Sequence, residues 1–176
     1  MRLTGETKLF LGIIVGTIVI VSGAVALFSK PAPVLSRADL LPPTATTRGN
    51  ASASAYLVEF SDFQCPACKA VKPVVDTIVK QYSDKLVFSY RHFPLDQHAF
   101  AQKAAEAAEA AGAQGKFWEM YDLLFANQDK LSESIFADLA KELNLDMTLF
   151  EKSLGEGTYR QKILDDRSYG NQIGVA

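Results

Sequence analysis

Tyr56-Leu57-Val58-Glu59-Phe60-Ser61-Asp62-Phe63-Gln64-Cys65-Pro66-Ala67-Cys68 is the stretch around which the chain is organised. Tyr56 to Phe60 is an apolar run broken only by Glu59 and predicts a buried strand; the periodic segment from Pro66 predicts a helix. Cys65 then stands where a strand feeds a helix. Pro66 takes the first helical position, where no amide hydrogen is needed. Unpaired amides and the positive end of the helix dipole favour an anion, so the Cys65 thiolate is expected to be stabilised. Cys68 follows one turn later on the same face, close enough to form a disulfide with Cys65. This is the layout of a thiol–disulfide exchange site.

Working outward, the helix carries Val71, Val75, Ile78, Val79 and Tyr82 on one face, a stripe expected to meet the core. Pro73 lies inside it and is expected to kink it. Ser83-Asp84-Lys85 reads as a turn and Leu86 to Phe93 as a second strand, completing a βαβ unit with parallel strands. An alanine-rich helix spans Ala99 to Ala113, and Gly112 and Gly115 part it from an aromatic helix at Phe117 to Asn127. Ser132 and Asp146 are placed to cap two further helices. Thr158 and Gln161 have capping-box spacing for a last one.

On the N-terminal side, Leu9 to Phe28 is twenty residues without a charge, enough to cross a bilayer as a helix. Residues 1–8, with Arg2 and Lys8, are expected on the cytoplasmic side. The competing reading is a cleaved signal peptide, with Ala24-Val25-Ala26 at the cleavage site. Both readings export the remainder to where disulfides persist. Residues 29–49, with Pro31, Pro33, Pro42 and Pro43, read as a semi-extended linker, and residues 50–176 as the folded domain. Asn50-Ala51-Ser52 fits a glycosylation sequon too short to carry a role.

The totals agree with this division. A chain of 176 residues fits one domain and a tail. A net charge of −2 and no basic cluster give no reason to invoke nucleic acid. Two cysteines spaced Cys-x-x-Cys indicate redox or metal chemistry rather than a disulfide framework.

The segment Glu59 to Cys68 resembles the active-site segment of the DsbA-like branch of the thioredoxin superfamily. The match continues at Tyr90-Arg91-His92-Phe93-Pro94-Leu95, at His98 and at Gln114-Gly115-Lys116-Phe117-Trp118. The resemblance implies an α/β, thioredoxin-like fold with a helical insertion, behind an N-terminal transmembrane helix. It also implies a protein-disulfide oxidoreductase with no cofactor beyond the redox-active cysteine pair. Cys65 would attack, Cys68 would resolve, Pro66 would leave Cys65 exposed, and Glu59 would accept the proton of Cys68. An edge carboxylate facing water is the other reading of Glu59. Expected partners are exported proteins with cysteines and a membrane or soluble redox partner, with residues 9–28 in the membrane and the domain on the extracytoplasmic side. Oxidase is the favoured direction, although reductases and isomerases share these residues.

Two departures from the family follow. Ala67 replaces the histidine that strongly oxidising members carry between their cysteines, so a less oxidising site is expected. The family's cis-proline loop, last strands and last helix have no counterpart here, since Pro94 is the last proline. A two-stranded sheet is then expected, and the sequence reads as a fragment, with an inactive truncated remnant as an alternative. A Cys2His2 metal-binding module built from Cys65, Cys68, His92 and His98 is the rival from another class.

Overall fold

The computed structural model describes residues 4–28 and 35–175. Residues 1–3, residues 29–34 of the expected linker, and Ala176 lie outside the described residues. The chain divides into two units at Val34/Leu35. The first is helix α1, Gly5–Phe28, which starts one turn before the uncharged run. Gly5–Ala26 is long and apolar enough to cross a membrane, and Leu9, Phe10, Ile13, Ile18 and Ile20 are all exposed. A span or a signal segment both fit such a helix.

The second unit begins earlier than expected, which corrects the reading of 29–49 as linker. Ser36 caps a short helix α2, Arg37–Leu40, by accepting from the Asp39 amide at 3.2 Å. Arg37 donates to the Ala53 carbonyl at 2.6 Å. Thr46–Gly49 then forms strand β1, antiparallel to β3. Thr-Thr-Arg-Gly has no apolar alternation; the strand exists because β3 offers it a ladder and Arg48 is held over the ring of Trp118. The sheet therefore has three strands in the order β1-β3-β2, not two.

Strand β2 (Ala55–Ser61), helix α3 (Pro66–Gln81) and strand β3 (Leu86–His92) form the expected parallel βαβ unit, with Glu59 opposite Tyr90 and Ser61 opposite His92. Every residue of β3 is buried, as a central strand requires. Helix α3 runs on through Pro73. Its core stripe is narrower than predicted: Val75 and Val79 are buried, whereas Val71 (51%), Ile78 (37%) and Tyr82 (46%) are exposed. The sheet ends at β2.

Five helices complete the unit: α4 Ala101–Gly112, α5 Phe117–Ala126, α6 Glu133–Glu142, α7 Met147–Glu156 and α8 Arg160–Ile173. The alanines of α4 are almost all buried, and their small side chains let α5, α7 and α8 approach closely. Met120, Leu124, Phe125, Phe136, Phe150 and Ile163 fill the space between, each at most 2% exposed. Asp146 caps α7 as expected, accepting from Leu149 at 3.1 Å. Ser132 occupies the N-cap of α6, but its hydroxyl meets Ser134 instead of the backbone. The Thr158 capping box is not formed: the Thr158 amide donates to Ser153 in the left-handed turn that ends α7, and Tyr159 takes the N-cap of α8.

Candidate active site

The loop from β2 to α3 is built to present Cys65. Cys65 is the N-cap of α3 in an extended conformation (φ −80°, ψ 120°), Pro66 follows in the first turn, and the Lys69 amide closes the first helical bond to the Cys65 carbonyl. The Cys65 amide donates to the Asp62 carbonyl at 3.1 Å. Both cysteines are half-buried and unbonded.

Four residues hold this loop: Asp62, Gln64 and His98, for which the sequence suggested no such role, and Gln128, which it did not single out. Asp62, 3% exposed, accepts from the Gln64 amide at 2.6 Å and from the distant Leu95 amide at 2.9 Å. His98 Nδ1 lies 2.7 Å from the same carboxylate. The Gln64 side chain accepts from the Phe100 amide at 2.7 Å. Gln128, also buried, donates to the Phe63 and Cys65 carbonyls at 2.8 and 3.0 Å. The Asp62-x-Gln64 spacing is an Asx-turn signal. Gln128 has no local signal, because its partners lie more than 60 residues away.

Behind the loop the electrostatics separate the residues. Burial pushes the Cys68 thiol up, and the neighbouring Cys65 adds to this, against the Ser61 hydroxyl and the Asp62 amide. Cys68 is thereby kept as a thiol, the state expected of the group that waits while another attacks. Burial likewise raises the Glu59 carboxyl; Asp76 reinforces this, while Ser61, Arg48 and Lys72 oppose it. Glu59 faces inward beside Tyr90 and is not a water-facing edge carboxylate. Cys65, Pro66 and Cys68 thus stand together at the junction of β2 and α3, with Glu59 on β2 six residues before Cys65.

The two histidines are placed elsewhere in chemical terms. His92, 1% exposed, donates from Nε2 to Glu109 at 2.8 Å, since an ionised carboxylate only accepts. Lys162 pairs with the same oxygen and reaches Thr46 at 3.1 Å. Burial opposes ionisation of Glu109, but His92 and Lys162 outweigh it and lower its pKa. His98 is turned to Asp62. Among the described residues no three His, Cys, Asp or Glu side chains converge as a metal site. The Cys2His2 arrangement is therefore not assembled.

Residues 42–176 match the thioredoxin family. The α-DsbA2 thiol-disulfide exchange protein of Wolbachia pipientis shares the fold at a TM-score of 0.71 and 23% identity, over 80% of this chain and 76% of that one. A thioredoxin-like oxidoreductase from Silicibacter pomeroyi superposes at a TM-score of 0.69 with 25% identity, over 80% of each chain. Among curated proteins, the Na(+)/H(+) antiporter NhaA 3 of Salinispora tropica is 42% identical over 120 residues, covering 68% of this chain but spanning only 18% of the antiporter. With its Cys-x-x-Cys motif at the junction of β2 and α3, and helices α4–α8 set beside the βαβ unit, the chain belongs to the thioredoxin family and has the DsbA-like form of its fold.

Proposed function

We propose that this chain is a thiol–disulfide oxidoreductase that exchanges disulfides with cysteines of exported proteins through its Cys65-Pro66-Ala67-Cys68 site. The observation that carries this reading is the asymmetry of the cysteine pair. Cys65 sits at the N-terminus of α3, whereas burial favours the protonated form of Cys68. In the reducing direction the Cys65 thiolate attacks a substrate disulfide and forms a mixed disulfide. Cys68 then displaces the substrate thiolate, and the Cys65–Cys68 disulfide is left behind. Glu59 takes the Cys68 proton as that sulfur becomes nucleophilic. The oxidising direction runs the same steps backwards.

The apolar α1 supports placing the domain at a membrane, with the site on the extracytoplasmic face where disulfides are stable. Antiporter activity is not proposed, since the chain spans so small a share of that relative. Replacing Cys68→Ser in the full chain, in detergent, is expected to trap the mixed disulfide at Cys65 with a thiol-bearing protein, visible by non-reducing electrophoresis and lost on adding reductant. No trapped species from Cys68→Ser, with no Cys65–Cys68 disulfide in the parent, would refute the reading. Alanine at position 67 offers the thiolate no imidazole, so the reduction potential is expected below the roughly −120 mV of DsbA.

A further inference from the structure

The turn Asp62–Cys65 is tied to distant chain at each of its four residues. The Phe63 and Cys65 carbonyls accept from Gln128, and the Gln64 side chain accepts from the Phe100 amide. Asp62 makes the remaining tie through its buried carboxylate, where three donors meet. Two are backbone amides, Gln64 at 2.6 Å and Leu95 at 2.9 Å; the third is His98 Nδ1 at 2.7 Å. An ionised carboxylate only accepts, so Nδ1 carries the proton. Leu95 and His98 reach Asp62 from a single turn, closed by the His98 amide on the Leu95 carbonyl at 3.0 Å. The Ala101 amide then donates to the His98 carbonyl at 3.2 Å, so the imidazole is fixed where α4 begins.

We propose that His98 is the positioning residue of the attacking thiol: by holding Asp62 it keeps this turn closed and Cys65 at the N-cap of α3. This rests on the oxidoreductase reading and names what sets the readiness of Cys65 within it. At that N-cap the unpaired first-turn amides and the helix dipole favour a thiolate, and the advantage falls off once the residue leaves the helix end. The turn itself is closed by the Cys65 amide on the Asp62 carbonyl at 3.1 Å, so the backbone that places Cys65 is the backbone that Asp62 anchors.

His98 is the one side-chain donor that Asp62 has among the described residues. Without it the buried charge is left with two neutral amides, and the turn must open toward water to solvate it. The other ties do not substitute, because Gln128 and Phe100 donate to carbonyls and to Gln64, not to the carboxylate. Nor are the charged neighbours of His98 free to intervene. With Pro94, Leu95, Asp96, Ala99, Gln102 and Arg167, His98 lines a surface cavity of about 300 Å³. There Asp96 spends both carboxylate oxygens on Arg167, at 2.7 Å each.

The test is the rate at which iodoacetamide alkylates Cys65, in the reduced full chain in detergent carrying Cys68→Ser, so that Cys65 is the one thiol present. The thiolate is the reacting form, so the rate near neutral pH reads how far the fold favours it. Adding His98→Ala is expected to slow alkylation near neutral pH roughly tenfold, with the gap closing at a pH well above the ordinary thiol pKa. His98→Asn, whose side-chain amide nitrogen takes the place of Nδ1, is expected to restore most of the rate. A His98→Ala chain that reacts at the parent rate or faster overturns the proposal. So does a gap that persists at high pH, or a folded His98→Asn chain as slow as His98→Ala. If His98→Ala does not fold, His98→Gln, whose amide reaches the Nε2 position instead, carries the test: slower than His98→Asn supports the proposal and equal to it overturns it. Alkylation asks nothing of a disulfide substrate. The positioning role can therefore fail while the Cys68→Ser chain still traps its mixed disulfide, and a failure to trap leaves His98 to be judged on alkylation alone.

Discussion

Glu59 is more reluctant to ionise than a solvated glutamate because burial removes the water that would stabilise its charge. Its proton affinity is therefore higher in the folded than in the unfolded chain. The stability this confers is complete below the ordinary value of 4.5 and is lost as pH rises through the folded value. Glu59→Gln is expected to remove that loss, so the variant gains stability over its parent as pH rises above 4.5, read from urea titrations. The same variant should resolve mixed disulfides more slowly, because its amide cannot take the proton. Gln128 acts on geometry instead. Its amide is the bond that ties α5's far end to the Phe63 and Cys65 carbonyls. Gln128→Ala leaves two carbonyls short of a donor and is expected to cost about 1–3 kcal/mol, read from thermal unfolding.

Among elements, α8 makes the tightest demand. It crosses the end of the sheet with Gly170 against the rings of Phe93 and Phe60; a methyl group there would lie 2.8 Å from Phe93. Neither ring has free room, since Phe60 and Phe93 meet edge to face, with centroids 6.4 Å apart. Gly170→Ala is expected to destabilise by about 1–3 kcal/mol, with hydrogen exchange accelerating in α8 and at the end of β3. The helix is also tied by Asp166, which accepts from Arg91 at 2.8 Å and from the His92 amide at 3.2 Å. Asp166 thus fixes α8 at the two strand positions that follow Tyr90, and Gly170 seats it on Phe93 and Phe60.

Across the whole molecule, Glu109 joins parts of the chain that are far apart in sequence: His92 of β3, Lys162 of α8 and, through Lys162, Thr46 of β1. Its folded pKa is lowered, so its contribution is present above the ordinary 4.5 and is lost as pH falls through the folded value. Glu109→Gln is expected to flatten the acid limb of the stability profile and lower stability at neutral pH, measured by chemical denaturation across that range. The cysteine pair, its helix-start setting, the parallel βαβ unit and the helical run were legible in the sequence, because each rests on local periodicity, a breaker or a fixed spacing. Strand β1 was not legible, since Thr46–Gly49 acquires its structure only from the ladder of β3. The exposure of Val71, Ile78 and Tyr82 was hidden too: periodicity shows which side chains share a face, but only the packed molecule shows whether that face is covered. By itself the sequence determined where the thiols stand and the chemistry they suit. Tertiary structure decided which side chains hold their loop, Asp62 with His98, and Gln128, because contacts across the fold leave no period in the sequence.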